Sequence, residues 1–354
     1  MKINSNFWFN RSVFLTGHTG FKGGWLTLWL TSMGAKVNGY SLDAPTSTNF
    51  FTETNLRERM ETSTIDNIQN FLALKSALLL AKPSIVIHMA AQPLVSKSYK
   101  DPLETFKTNI IGTANLLEAI RKVDTVEAIV NITTDKCYEN IEQLKPYDEN
   151  DKLGGYDPYS SSKACAELVS ATYRNSFFND RGTRLATVRA GNVIGGGDWA
   201  ADRLIPDFLR AIETHKKLYV RSPNAIRPWQ HVLEPLSGYL MLAEKLITNG
   251  SDFAEAWNFG PKEADSKSVS WVINHLIQKI PNVEWEIDKT EKPHEAGLLL
   301  LDSSKAKSKL SWQPRWSLET ALDKIIEWHE AWKENKKMAE VSISQINAYN
   351  NSSL

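Results

Sequence analysis

Short apolar runs rich in β-branched residues alternate with longer segments of helical period along the first half of the chain. SVFLT from Ser12, VNGYSL from Val37, SIVIHMA from Ser84, AIVNIT from Ala128 and LATVRA from Leu185 are apolar almost without interruption, as strands covered on both faces are. Between them lie GGWLTLWLTSMG, NIIGTANLLEAIRKV and SKACAELVSATYRNSFF, which have the apolar period of helices. This alternation predicts an α/β fold, a doubly wound parallel sheet of Rossmann type with right-handed crossovers. After Arg189 the connections lengthen and fill with Gly, Pro and Trp (GGGDW, RSPNAIRPWQ), which points to a second, smaller mixed α/β lobe. The expected division puts residues 1–189 and about 228–262 in the sheet domain, about 190–227 and 263–335 in the smaller one, and 336–354 in a loosely held polar tail.

Composition narrows the function. The 354 residues are 42% hydrophobic, enough for a large core. Basic and acidic residues are equal at 41 each, so there is no electrostatic footprint for nucleic acid or an anionic membrane. Two cysteines, Cys137 and Cys165, do not make a disulfide framework, no charged-then-apolar leader precedes the first strand, and the longest apolar stretch is broken by Lys82, Pro83 and His88. A cytoplasmic, non-membrane protein is expected. No metal-ligand cluster is visible.

The first chemical motif is TGHTGFKG, with Gly17, Gly20 and Gly23 after the first strand and at the start of a helix. Glycines are needed there for a tight turn, for approach of backbone to a pyrophosphate, and for close packing of helix on sheet, with the helix N-terminus facing the anion. Asp43, at the end of the second strand, stands where an acid accepts the adenosine ribose hydroxyls and repels a 2′-phosphate, which favours NAD. His18 and Lys22 in the same loop act against that discrimination.

The second motif is Tyr159-Ser-Ser-Ser-Lys163. A spacing of four on a helix puts both side chains on one face, where an ammonium lowers the phenol pKa from about 10. Such a tyrosine can take a proton from a sugar hydroxyl. Asp157-Pro158 is a helix start, and Thr134 ends a strand where a third hydroxyl is required. Thr134 leads into Asp135 and Lys136, a carboxyl beside an amine, which as a bland feature would be a solvated turn with a weak ion pair. Titrating together, the two must be treated as one unit.

These residues, with HMAAQPLV at 88–95, TTDKCY at 133–138, GGYDPYSSSKACAELV at 154–169, RAGNVIGGGDWAADRLIPD at 189–207 and RPWQHVLEPLSGYL at 227–240, make the chain resemble the extended short-chain dehydrogenase/reductase family acting on nucleotide sugars. Within it the likeness, from about Phe7 to His329, is to the 4,6-dehydratases acting on CDP-glucose. The resemblance implies a catalytic set of Thr134, Asp135, Lys136, Tyr159 and Lys163, with Asp135 as acid and Lys136 standing where related dTDP-sugar enzymes carry a glutamate base. It implies NAD held by Gly17, His18, Thr19, Gly20, Phe21, Lys22, Gly23, Asp43, Asn67, Ile68, Ala90, Ala91, Gln92, Asn109, Tyr159 and Lys163. The stretch Asp66-Asn67-Ile68-Gln69-Asn70 lacks the charges of the family's adenine segment, so a weaker hold on cofactor is expected. Substrate contacts are implied for Thr134, Asn192, Arg203, Arg227 and His294. The resemblance also implies a homodimer built on a four-helix bundle from helices at about 103–121 and 160–178, and supply of deoxyhexoses to bacterial surface polysaccharide such as the O-antigen of lipopolysaccharide. The competing readings are a nucleotide-sugar 4-epimerase, which has no use for an acid and base after Thr134, a dehydratase for another nucleotide-hexose, and a non-catalytic dinucleotide sensor. His88 is expected to be a satisfied core histidine, His231 either a substrate contact or a loop support, Cys137 a buried structural thiol, and Trp8, Trp25 and Trp29 packing residues.

Overall fold

The structure, a computed structural model, describes residues 3–281, 283–290 and 296–352. Its centre is a seven-stranded parallel sheet built from β1 (Ser12–Thr16), β2 (Lys36–Ser41), β3 (Thr62–Ile65), β4 (Ile85–His88), β5 (Ala128–Ile132), β6 (Arg184–Ala190) and, beyond two short strands β7 (Asn192–Ile194) and β8 (Leu218–Val220) and the longer β9 (Ile226–His231), β10 (Ala256–Phe259). Their order across the sheet is β10-β6-β5-β4-β1-β2-β3. The order reverses between β1 and β4, and open α/β sheets bind ligands in the crevice outside the carboxyl ends at such a switch point. The five strands legible in the sequence are all present. The edge strands β3 and β10 escaped notice because neither is an unbroken apolar run: β3, Thr-Ser-Thr-Ile, has no buried residue to give it an apolar signature, and β10, Ala-Trp-Asn-Phe, is interrupted by Asn258.

Seven helices bear on the site: α1 (Phe21–Ser32), α2 (Phe71–Ala81), α3 (Gly112–Ile120), α4 (Pro158–Tyr173), α5 (Leu233–Thr248), α6 (Leu318–Lys333) and α7 (Met338–Asn351). One face of the sheet packs against α1 and α5 through Leu26, Trp29, Leu236 and Leu240, and the other against α2 and α3 through Leu74, Leu78, Leu116 and Ile120. Trp8, Trp25 and Trp29 are fully buried, as expected of packing residues. In the smaller lobe β9 pairs with β7 and with β11 (Ser266–Ser268), while β8 pairs with β12 (Trp285–Ile287). A separate apolar cluster including Phe208, Trp229, Ile273 and Leu322 holds that lobe.

The polar stretch from Lys336, expected to hang loosely, is instead the helix α7. Met338, Ser342, Gln345, Ile346 and Tyr349 recur at three- and four-residue spacing and are all buried. Tyr349 meets Trp29 edge-on at 5.9 Å and hydrogen-bonds Glu234 at 2.7 Å. This contact helps explain why every residue of α1 from Gly23 to Leu30 is buried: the Trp29 side of the helix is covered by α7.

Candidate active site

The loop after β1 is built by its glycines. Gly17 has φ +80°, and a Cβ on it would lie 2.8 Å from the Ala90 nitrogen; a Cβ on Gly23 would lie 2.0 Å from the Gly17 carbonyl oxygen. Both positions are closed to any side chain. Gly20 differs: its Cβ would meet only the Gly17 oxygen, at 3.4 Å. Gly20 also caps the 12-residue α1, whose first turn receives no side-chain cap. The result is an open backbone cradle at the positive end of a helix dipole, which fits a pyrophosphate. Thr19 hydrogen-bonds Ser41 at 2.7 Å and the Leu42 carbonyl at 2.8 Å, which ties the cradle to the end of β2, and exposed Asp43 follows two residues beyond that strand.

Of the basic residues of the loop, His18 does not offset Asp43. His18 bonds Ser63 at 2.7 Å, and burial together with the Arg57 charge lowers its pKa to about 4, so it is neutral at pH 7. Lys22 donates to the Tyr239 hydroxyl at 3.0 Å; burial, then repulsion from Lys163 and Arg203, lowers its pKa to about 7, with Asp135 acting the other way. Further along, Asn67 accepts from the Gln69 N–H, and Ile68 is buried against Gly112. Ala90 donates to Thr16, while Asn109 accepts from the Gln92 N–H at 2.8 Å and donates to Ser162 of α4 at 2.8 Å. Asn109 therefore links the loop after β4 to the helix that carries the tyrosine.

That helix begins as expected. Asp157 accepts from the Ser160 N–H at 2.9 Å and Pro158 occupies the first turn, so Tyr159 and Lys163 face inward, 8% and 7% exposed. Lys163 Nζ donates to the Ile132 carbonyl at 3.1 Å, at the end of β5. The phenol does not have the lowered pKa read from spacing. Burial raises it to about 12, with a hydrogen bond to Thr134 and the Arg203 charge only partly opposing that. Lys163 is itself desolvated to about 8, and a buried ammonium bonded to a backbone carbonyl has less to give its neighbour.

At the end of β5 the Thr134-Asp135-Lys136 corner turns into the crevice. Asp135 is 2% exposed; burial pushes its carboxyl above the usual range, against the lowering effects of Lys136, a Thr134 hydrogen bond and Arg227. Thr134 donates to Oδ1 at 3.0 Å, whereas Oδ2 is buried with no hydrogen-bond partner among the described residues. Lys136 is half-buried on the same turn. The solvated ion pair of the bland reading is excluded by this burial. Cys137, fully buried with its thiol pushed well up by desolvation, is structural.

On the substrate side, Asn192 begins β7 half-buried, Arg227 is 4% exposed on β9 with its charge felt at Asp135, and Arg203 pairs with Asp198 at 2.8 Å with its charge felt at Tyr159. Asp198, the fourth residue of GGGDW, is thus a partner the sequence reading missed. His294 lies outside the described residues. His88 bonds Thr16 at 2.7 Å and Thr113 at 3.0 Å and is the satisfied core histidine expected. His231 is 1% exposed, accepts from the Leu233 N–H and sits 4.9 Å from the Trp316 ring, so it supports the loop.

Comparison with known proteins gives three findings. Residues 14–325 match the family described as GDP-mannose 4,6 dehydratase. The chain is 51% identical over 353 residues to the CDP-glucose 4,6-dehydratase of Salmonella typhimurium, covering 98% of each chain, and 25% identical over 254 residues to the UDP-glucose 4-epimerase of Mycoplasma pneumoniae, covering 68% of this chain and 74% of that one. Among solved structures, MoeE5 in complex with UDP-glucose and NAD superposes with TM-score 0.77 at 21% identity over 91% of this chain and 99% of that one. The dTDP-glucose 4,6-dehydratase of Bacillus anthracis in complex with NAD gives 0.75 at 21% identity over 93% and 99%. At such identities the structural likeness bears on the fold alone.

Proposed function

The chain belongs to the GDP-mannose 4,6 dehydratase family, and from that premise we propose that it is an NAD-dependent CDP-glucose 4,6-dehydratase yielding CDP-4-keto-6-deoxyglucose and water. The observation that carries this reading is Asp135: a buried carboxyl whose pKa desolvation raises, with one oxygen lacking a hydrogen-bond partner among the described residues, suits expulsion of a hydroxyl, which an epimerase does not need. The nucleotide rests on the 51% identical relative.

The open cradle at Gly20, Thr19 bound to the end of β2, and Asp43 beyond it fit NAD. Bound NAD supplies the acceptor for the hydride leaving sugar carbon 4 and, once reduced, the source of the hydride returned to carbon 6. Tyr159 is assigned to take the proton of the carbon 4 hydroxyl, for which its phenolate must form against the burial that raises its pKa, a burial that the Thr134 hydrogen bond and the Arg203 charge partly oppose. The resulting ketone acidifies carbon 5, whose proton we assign to Lys136. Asp135 protonates the departing carbon 6 oxygen, which leaves as water. Lys136 then returns its proton to carbon 5 as carbon 6 is reduced. Tyr159 ends with one proton more and Asp135 with one fewer, and exchange between them through solvent restores the site. Arg203, Arg227 and Asn192 are assigned to the nucleotide diphosphate, arginine being suited to bidentate phosphate contact.

We further infer a homodimer formed through α3, the helical segments Pro102–Phe106 and Lys107–Ile111 that lead into it, and α4, on which Leu103, Ile111 and Leu168 are more than half exposed. A cytoplasmic setting and a role in deoxyhexose supply for surface polysaccharide fit that activity. The test is incubation with NAD and, separately, CDP-, dTDP-, UDP- and GDP-glucose, followed by NMR of the products. A 4-keto-6-deoxy product from CDP-glucose in preference to the others is expected, and a 4-epimer or no reaction overturns the reading.

A further inference from the structure

Glu167 lies one helical turn beyond Lys163 and two beyond Tyr159, on the same face of α4. It is 4% exposed and Arg189, at the end of β6, is 3% exposed. Glu167 Oε1 accepts from Thr133 and from Arg189 Nε at 3.1 Å, while Oε2 accepts from Thr187 at 2.6 Å and from Arg189 Nη2 at 3.0 Å. Arg189 Nη1 donates to the Tyr138 hydroxyl at 2.8 Å, and that hydroxyl donates to Asn258 of β10 at 2.8 Å. Thr133 and Tyr138 bracket Thr134, Asp135 and Lys136. One buried ion pair thus spans the helix holding the tyrosine and lysine, the turn holding the acid, and two further strands.

We propose that Glu167 is a positioning residue for the catalytic pair: paired with Arg189, it locks α4 to the ends of β5 and β6 and sets a fixed negative charge one turn from the Lys163 ammonium. This rests on the dehydratase chemistry above for its consequence, but its geometry does not depend on which sugar is used.

The groups facing Lys163 show why the charge matters. From α4 come Tyr159 and Glu167, from the turn after β5 Cys137, from β4 His88 and from α1 Lys22. His88 is held neutral by burial, and Lys22 repels. Attraction comes first from Glu167 and after it from Cys137. Its own carboxyl stays ionised because the Arg189 charge and the bonds from Arg189, Thr133 and Thr187 outweigh the burial that would otherwise push it up. Against desolvation, this holds Lys163 near pKa 8, so that it is mostly an ammonium at pH 7. A neutral residue at 167 removes the larger attraction that opposes desolvation.

The experiment is competitive acetylation of the ligand-free protein by acetic anhydride across pH, with Lys163 modification read by peptide mass spectrometry, since the rate follows the neutral-amine fraction. Glu167→Gln is expected to lower the Lys163 midpoint by about one pH unit, and Glu167→Asp to recover part of it. Because Gln leaves a buried arginine uncompensated and can prevent folding, the double variant Glu167→Gln/Arg189→Met removes both charges and is expected to move the midpoint in the same direction. In turnover with CDP-glucose the alkaline limb of kcat should shift with it. A midpoint unchanged in a folded variant, whatever its loss of thermal stability, makes the pair a structural brace and overturns the proposal. A shifted midpoint in a protein that does not convert CDP-glucose upholds the proposal and removes only the substrate assignment.

Discussion

Thr134 donates its hydroxyl proton to one oxygen of Asp135 at 3.0 Å and leaves the other oxygen buried without a hydrogen-bond partner among the described residues. A carboxylate in that position would be costly; a carboxylic acid has a proton to offer there. The pairing supports the proposed role of Asp135 in leaving-group protonation, as distinct from the earlier role proposed for Tyr159.

Asp135→Asn should therefore separate the steps. Dehydration is expected to fall by about 10²- to 10⁴-fold, the usual contribution of a positioned acid, while a single turnover still shows cofactor reduction at 340 nm. Undiminished water loss, measured by NMR of the product, would falsify the assignment.

Tyr159→Phe removes the proposed proton acceptor for the first step. Absorbance at 340 nm should then stay flat in a single turnover, and normal cofactor reduction would exclude the tyrosine as base.

The two glycines of the cradle should respond differently to one methyl group. Gly20→Ala is expected to keep the melting temperature and lose at least about tenfold in NAD affinity, since its Cβ meets no protein atom but the Gly17 oxygen, at 3.4 Å, and would stand in the proposed cradle. Gly23→Ala is expected to lower both, because its Cβ would fall 2.0 Å from the Gly17 oxygen. Calorimetric NAD titration with thermal melts decides; equal behaviour of the pair would refute the cradle.

Glu234 gives a pH signature for the C-terminal helix. Burial raises its pKa to about 7, against hydrogen bonds from Trp316, Tyr349 and Arg315. The folded state thus binds more protons than the unfolded one between about pH 4.5 and 7, so stability contributed by this group is full at low pH and lost as pH rises through 7. The melting temperature of the wild type minus that of Glu234→Gln should fall between pH 5 and 8, and a constant difference would contradict the shift.

Leu168→Glu on α4, at a position 58% exposed, should dissociate a dimer built on that face without unfolding the subunit. Sedimentation velocity reads the outcome, and an unchanged oligomer would move the interface elsewhere.

Much of this molecule is written in local patterns. The glycine loop between a strand and a helix, the four-residue step from Tyr159 to Lys163, and the Asp157-Pro158 start of their helix all fall where sequence put them, because turn geometry and helical periodicity are fixed by neighbours in the chain. Legibility failed where the apolar pattern was broken or partners distant. The strands β3 and β10 gave no unbroken apolar run, the C-terminal helix read as a tail because its apolar stripe is thin without Trp29 to cover, and Arg203 gave no hint of Asp198.

The sequence by itself determined which chemical groups the site could contain and on which elements they stand. Tertiary structure alone decided which way their pKa values move: Asp135 and Tyr159 raised, His18 lowered, Glu167 lowered through Arg189 22 residues away in the chain. The reason is that desolvation and Coulomb interaction depend on what is packed around a group in space, and spacing along a chain does not encode that surrounding.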